Sequence, residues 1–222
     1  MGYESPMPVQ EEVIPFLLGD DNDVIALAQT GTGKTAAFGL PILQKIDVTT
    51  YHPQALVLCP TRELCLQIAD DLNDYSKYID NLKVLPVYGG SSIESQIKTL
   101  KRGVHVVVAT PGRLLDLMNR KTVDLSLVKN VIMDEADEML NMGFTDSINA
   151  ILAEVPENRN MLLFSATMPK EIANITKKYM KNPKEIVIGN KNEGNKNIRD
   201  IYYMVQALSL IHISEPTRRV VI

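Results

Sequence analysis

The sequence predicts an α/β fold: a mostly parallel β-sheet with helices on both faces, in three layers. Three observations lead there. Short apolar or β-branched runs alternate with helical stretches along the 222 residues, the pattern of a parallel sheet covered on both sides. The run Ala55–Cys59 is apolar throughout rather than alternating, so both faces of that strand should be buried. Nearly every polar cluster follows the carboxyl end of such a run, where sheets of this kind form their ligand crevice.

In chain order, residues 2–10 open a helix. Pro6 and Pro8 suit a loop and a first turn, and Val9, Val13, Ile14, Leu17 and Leu18 form its apolar stripe. Pro15 should kink it. Asp23–Leu27 is the first strand, and the helix after its glycine-rich turn should run to about Ile46. Ala55–Cys59 is the second strand, followed by a helix from Pro60 to about Tyr78. Lys83–Tyr88 is the third; a helix with Ile93, Ile97 and Leu100 on one face comes next. His105–Ala109 is the fourth, and Leu114, Leu115, Leu117 and Met118 belong to its helix. Asn130–Met133, Met161–Phe164 and Glu185–Ile188 complete seven strands. From Gly189 to Arg199 the Asn, Lys and Gly content reads as a linker, and Asp200–Gln206 reads as one more strand.

The bulk composition suits a globular core, with 45% apolar and 23% charged residues. A net charge of −4 gives no overall field for nucleic acid, so any such contact must come from particular residues. The two cysteines, Cys59 and Cys65, have neither zinc nor disulfide-framework spacing. Cys59 ends an apolar run and reads as a reduced core thiol, which points to the cytoplasm. His52, His105 and His212 lie in unlike contexts and read as surface or packing residues. The N-terminus has no signal-peptide pattern, Pro6 breaks the myristoylation motif, and no apolar run approaches membrane-spanning length.

The chemistry centres on Ala28-Gln29-Thr30-Gly31-Thr32-Gly33-Lys34-Thr35, between a strand and a helix. Here successive backbone N–H groups and a helix N-terminus can cradle phosphate oxygens. Gly31 and Gly33 allow a close approach, Lys34 can reach the β- and γ-phosphates, and the Thr35 hydroxyl suits Mg²⁺. Ala28 departs from the glycine that begins the strict phosphate-loop pattern. About a hundred residues later, Asp134-Glu135-Ala136-Asp137 follows the fifth strand. Asp134 can hold Mg²⁺ through its water shell, and Glu135 can activate a water attacking the γ-phosphate. The same four residues could instead simply begin a helix. Thr61, Arg62, Gly89, Gly90, Thr110 and Arg113 place hydroxyls, guanidiniums and glycines at strand ends, which suits a sugar–phosphate backbone. Singly, Thr61 and Thr110 also read as helix caps and Gly89-Gly90 as a turn. No aromatic cluster accompanies them, so base stacking is not expected.

In order, Gln10, Ala28–Thr35, Pro60–Leu64, Gly89-Gly90, Thr110–Arg113, Asp134–Asp137 and Ser165–Thr167 resemble the motifs of the first RecA-like domain of DEAD-box RNA helicases. The resemblance covers about residues 2–206, is most like bacterial members and the eukaryotic translation initiation helicase, and makes Ala28 normal. It implies a RecA-like three-layer sandwich, ATP and Mg²⁺ as ligands, and RNA held by its backbone without regard to sequence. It implies that Gln10 reads the adenine edge. It also implies that Ser165 and Thr167, with Asp137, couple hydrolysis to strand separation. Thr61, Arg62, Gly90, Thr110 and Arg113 would line the RNA path. Residues 1–188 would form the ATP-binding domain, and 189–207 a linker with the first strand of a second RecA-like domain. That domain, with its arginine fingers, and the adenine-stacking aromatic upstream of Gln10 are expected to be missing. The stretch 208–222 does not resemble the family; Ser209–Arg218 resembles translated sequencing-adapter DNA and is expected to be an artefact. Two functions follow: an ATP-dependent RNA helicase represented by its first half, or a nucleotide- and RNA-binding module without turnover.

Overall fold

The computed structural model describes residues 5–19 and 23–188. The expected strand at 200–206, the linker, the stretch 208–222 and His212 lie outside them. Along the chain run α1 (Pro8–Gly19), β1 (Val24–Leu27), α2 (Lys34–Gln44), β2 (Ala55–Leu58), α3 (Arg62–Tyr75) and β3 (Val84–Val87). Then come α4 (Ile93–Lys101), β4 (Val106–Ala109), α5 (Pro111–Asn119), β5 (Asn130–Met133), α6 (Ala136–Asn141), α7 (Thr145–Glu154), β6 (Asn160–Ser165), α8 (Lys170–Tyr179) and β7 (Lys184–Val187).

The seven expected strands all form, in the spatial order β3-β4-β2-β5-β6-β1-β7. All pairings are parallel. Every residue of β1, β2, β4 and β5 is buried, because strand side chains alternate between two covered faces. On one face Val24, Ala26, Val57, Val108 and Phe164 pack with residues of α1, α2 and α3. On the other, Ile25, Leu27, Leu56, Met133 and Leu163 pack with residues of α5, α6, α7 and α8. The edge strands are less covered: β7 exposes Lys184 and Glu185, and β3 carries Pro86, whose missing N–H an edge tolerates. His105 is fully buried. Its Nδ1 accepts from the Lys83 N–H at 3.0 Å, the packing role expected for it. Cys59 and Cys65 are buried free thiols, and their hydrogen bond and burial push Cys59 well above the usual thiol range.

Three local expectations are corrected. Leu18 is 42% exposed, because Val9, Val13 and Leu17 take the packed face and the next residue turns about 100° away from it. The second helix ends at Gln44, where the Lys45 N–H turns back to the carbonyls of Ile42 and Leu43. The third ends at Tyr75, and Tyr78 stands 85% exposed beyond it. α1 continues across Pro15.

The connection leaving β1 packs on the first face, while those leaving β5 and β6 pack on the second. The carboxyl ends of these three neighbours therefore open a crevice at the point where the winding reverses.

Candidate active site

The phosphate-loop stretch leaves β1 in this crevice. Ala28 is still in register with the sheet, its N–H bonded to the Ser165 carbonyl at 3.0 Å. It is buried and does not have a positive φ, so glycine is not needed there. Gly31 and Gly33 are needed, with φ of 76° and 81°. Gly33 is also the N-cap of α2, and a Cβ on it would meet Gln10 Nε2 at 2.5 Å. The Thr32 hydroxyl donates to the Gln29 carbonyl at 2.7 Å and closes the turn. Thr30 and Thr35 are exposed and half-buried respectively.

Lys34 is 6% exposed. Its amino nitrogen makes no hydrogen bond among the described residues; its ionic partner is Asp134 Oδ1, at 3.5 Å. That distance is too long for a strong hydrogen bond. A desolvated ammonium with so little compensation is costly unless an anion completes it. Asp134 follows β5 and is 3% exposed. Burial pushes its carboxyl up, while Lys34 beside it and the Glu135 N–H, bonded to Oδ1 at 3.0 Å, pull it down. Glu135 is half-buried with φ 51° and ψ 50°, a left-handed conformation that disfavours side chains by about 1–2 kcal/mol. Burial first, and then the Asp134 charge, raise its carboxyl above the usual range. Non-glycine strain of this kind tends to accumulate at functional sites.

Gln10 is 5% exposed and reaches the loop from α1. Its Nε2 donates to the Gly33 carbonyl at 3.2 Å, and its Oε1 accepts from the Met7 N–H at 2.9 Å. One N–H and one lone pair of the amide remain. At the end of β6, Ser165 Oγ accepts from the Asp137 N–H at 3.3 Å. Asp137 Oδ2 accepts from Thr167. The crevice thus collects Gln10, residues 28–35, Asp134, Glu135, Asp137, Ser165 and Thr167.

The other expected residues gather over β2, β3 and β4. Thr61 caps α3, its hydroxyl accepting from the Leu64 N–H at 3.2 Å. Thr110 begins α5 without a side-chain cap bond. The Arg62 guanidinium lies 5.0 Å from the Tyr88 ring centroid, beside Gly90, whose φ is 80°. Arg113 donates to the Ser91 carbonyl and to Gln96 Oε1. Met7, Tyr88, Ser91 and Gln96 belong to no motif and join these sites only through the fold. Gln96 carries a signal: it is polar, yet shares a helical face with Ile93, Ile97 and Leu100.

The buried Lys34 ammonium and the glycine cradle fit a phosphate chain. The acidic residues fit a water-clad Mg²⁺ held by one carboxylate and phosphates. No group of three or more His, Cys, Asp or Glu side chains among the described residues could hold a metal by itself. No helix among them is long and apolar enough to cross a membrane.

Comparison with known proteins agrees with this arrangement. The family model for the DEAD/DEAH box helicase matches residues 7–175. The chain is 51% identical over 205 residues to the ATP-dependent RNA helicase DeaD of Mycobacterium tuberculosis, covering 92% of this chain and 36% of that protein. It is 47% identical to DeaD of Escherichia coli K12, covering 92% of this chain and 32% of that protein. The chain therefore spans about a third of the length of these curated relatives. The crystal structure of a DEAD box protein from Methanococcus jannaschii superposes with a TM-score of 0.80 at 46% identity, over 84% of this chain and 50% of that one. A hypothetical ATP-dependent RNA helicase from Sulfolobus tokodaii gives 0.77 at 44%, over 85% and 54%. The fold is RecA-like, and the chain belongs to the DEAD/DEAH box helicase family.

Proposed function

We propose that this chain is the ATP-binding half of an ATP-dependent RNA helicase, in which ATP hydrolysis is coupled to unwinding or remodelling of RNA. The observation that carries the reading is the buried Lys34 amino group, unbonded beneath a glycine loop and 3.5 Å from Asp134. Residues 1–188 act as the ATP-binding domain, and a second RecA-like domain completes the catalytic and RNA-binding surfaces. Free thiols at Cys59 and Cys65 suit a reducing cytoplasm.

The loop N–H groups and Lys34 bind the β- and γ-phosphates, and Gln10 pairs with the adenine edge. Thr35 and Asp134 would hold Mg²⁺, which would supply positive charge to offset that of the phosphates. Glu135 accepts a proton from the attacking water, and its raised affinity for protons suits that task. Ser165, Thr167 and Asp137 pass the state of the crevice to the RNA face. There Thr61, Arg62, Gly90, Thr110 and Arg113 meet the sugar–phosphate backbone.

The test is phosphate release from Mg·ATP, with and without single-stranded RNA, by the chain alone and by the chain joined to a family-type second domain. Without an arginine finger, worth about 10³–10⁵ in rate, the chain alone should turn over at ~10⁻² to 10⁻⁴ s⁻¹. The joined protein should be stimulated by RNA, and Glu135→Gln should abolish its turnover while Mg·ATP stays bound. Wild-type turnover by that variant would overturn the assignment.

A further inference from the structure

Gln96 is buried on α4, at 6% exposure, on the face that Ile93, Ile97 and Leu100 pack against the core. An amide in such a place is costly unless paired, and this one is paired three times. Its Nε2 donates to the Tyr88 carbonyl at 3.1 Å and to Ser91 Oγ at 2.7 Å. Its Oε1 accepts from Arg113 Nη1 at 3.1 Å. Arg113 Nη1 and Nη2 both donate to the Ser91 carbonyl at 3.2 Å. One side chain therefore joins the turn after β3, the helix α4 and the first turn of α5.

The arrangement also decides which edge of Arg113 is free. A guanidinium has five N–H donors in a fixed plane. The two that converge on the Ser91 carbonyl occupy the edge between Nη1 and Nη2, and Gln96 takes the other Nη1 hydrogen. Nε–H and the outer Nη2–H remain. These are parallel and match two oxygens of one phosphate.

We infer that Gln96 is a positioning residue for nucleic-acid binding: it fixes Arg113 so that its remaining parallel donors face one phosphodiester of a bound strand. The inference rests on the reading that the ends of β2, β3 and β4 bind the RNA backbone. Gln96 touches no RNA itself. It supplies pre-organisation, which saves the ordering cost of a long side chain on binding.

The experiment measures binding of labelled oligouridine to the 222-residue chain at fixed salt. Gln96→Leu keeps the apolar face of α4 and should weaken oligouridine binding about tenfold, while Mg·ADP affinity stays within twofold. Arg113→Lys keeps the charge but loses the parallel pair, and should also weaken binding. In the Arg113→Lys background Gln96→Leu should cost less than twofold, because there is no planar donor pair left to orient. Gln96→Met, closer in shape, carries the same expectation and guards against a packing fault in the leucine variant. Unchanged affinity in Gln96→Leu and Gln96→Met would overturn the inference, as would equal weakening in both Arg113 backgrounds. Wild-type binding by Arg113→Ala would instead sink the RNA-backbone reading beneath it.

Discussion

Thr167 gives one oxygen of Asp137 two hydrogen bonds: its backbone N–H reaches Oδ2 at 3.0 Å and its hydroxyl at 2.8 Å. With the Asp137 N–H bonded to Ser165 Oγ at 3.3 Å, the segment after β6 is tied to the first turn of α6. Thr167→Val removes the hydroxyl and keeps the backbone bond. A hydrogen bond to a charged group contributes about 1.5–3 kcal/mol, less at an exposed site, so a loss of about 1 kcal/mol is expected. That lowers the thermal midpoint by about 2–4 °C. Calorimetry showing no shift would remove this link between the two segments.

Lys34→Ala should weaken Mg·ADP binding. The lost charge-assisted contact amounts to about 1.5–3 kcal/mol, or roughly tenfold and upward in affinity. Titration calorimetry on both proteins measures it. Equal dissociation constants would show that the buried ammonium does not serve the phosphates.

Gln10→Ala should narrow the preference for ATP over GTP. One N–H and one lone pair remain on the amide after its bonds to Gly33 and Met7, and that pair complements the adenine edge. Competition between ATP and GTP for the site gives the ratio. A wild-type chain indifferent to the base would refute the role.

Glu135→Gln should stabilise the chain near neutral pH and have no such effect in acid. The folded state holds the Glu135 proton more tightly than the unfolded chain, whose ordinary value is 4.5. Native stability therefore falls as pH rises from that value through the raised folded one, and the glutamine variant escapes the loss. Chemical denaturation at pH 4 and pH 7 tests the sign. A variant less stable than wild type at pH 7 would contradict it.

RNA binding by the chain should be insensitive to sequence and weakly dependent on salt. Arg62 and Arg113 would neutralise about two phosphates, giving a log–log slope near −1.4, and each alanine substitution should remove about 0.7. Marked preference among oligonucleotides of one length would refute the backbone reading.

The strands were legible because a parallel sheet buried on both faces demands uninterrupted apolar runs, and Ala55–Leu58 or Val106–Ala109 have no other use in a helical or exposed setting. The crevice was legible for a related reason: Asp134 and Ser165 stand at or just past a strand end, and Lys34 opens the helix after the glycine-rich turn that leaves β1. Helix ends were less so. Ile46 and Tyr78 are apolar enough to extend a pattern, but backbone capping at Lys45 and Ser76, not hydropathy, stops the helices from continuing. Contacts between side chains were hidden. Neither the use of Arg113's donors by Ser91 and Gln96 nor the stacking of Arg62 on Tyr88 follows from spacing. The first depends on how β3 and β4 lie side by side, the second on how β4 sets β2 beside β3. The left-handed backbone at Glu135 also has no sequence signal, since glutamate is not a residue that seeks it.

The position of β1 between β6 and β7 has a consequence for synthesis. The strand that launches the phosphate loop emerges from the ribosome before either of its pairing partners, which lie beyond residue 159. Until β6 has been made, Val24–Leu27 has no neighbour in its own sheet, and the Ser165 carbonyl that receives the Ala28 N–H does not exist. Nucleotide should therefore bind to nascent chains only after most of this sheet has left the exit tunnel. A nucleotide analogue that crosslinks to stalled chains of increasing length would show when the native sheet closes.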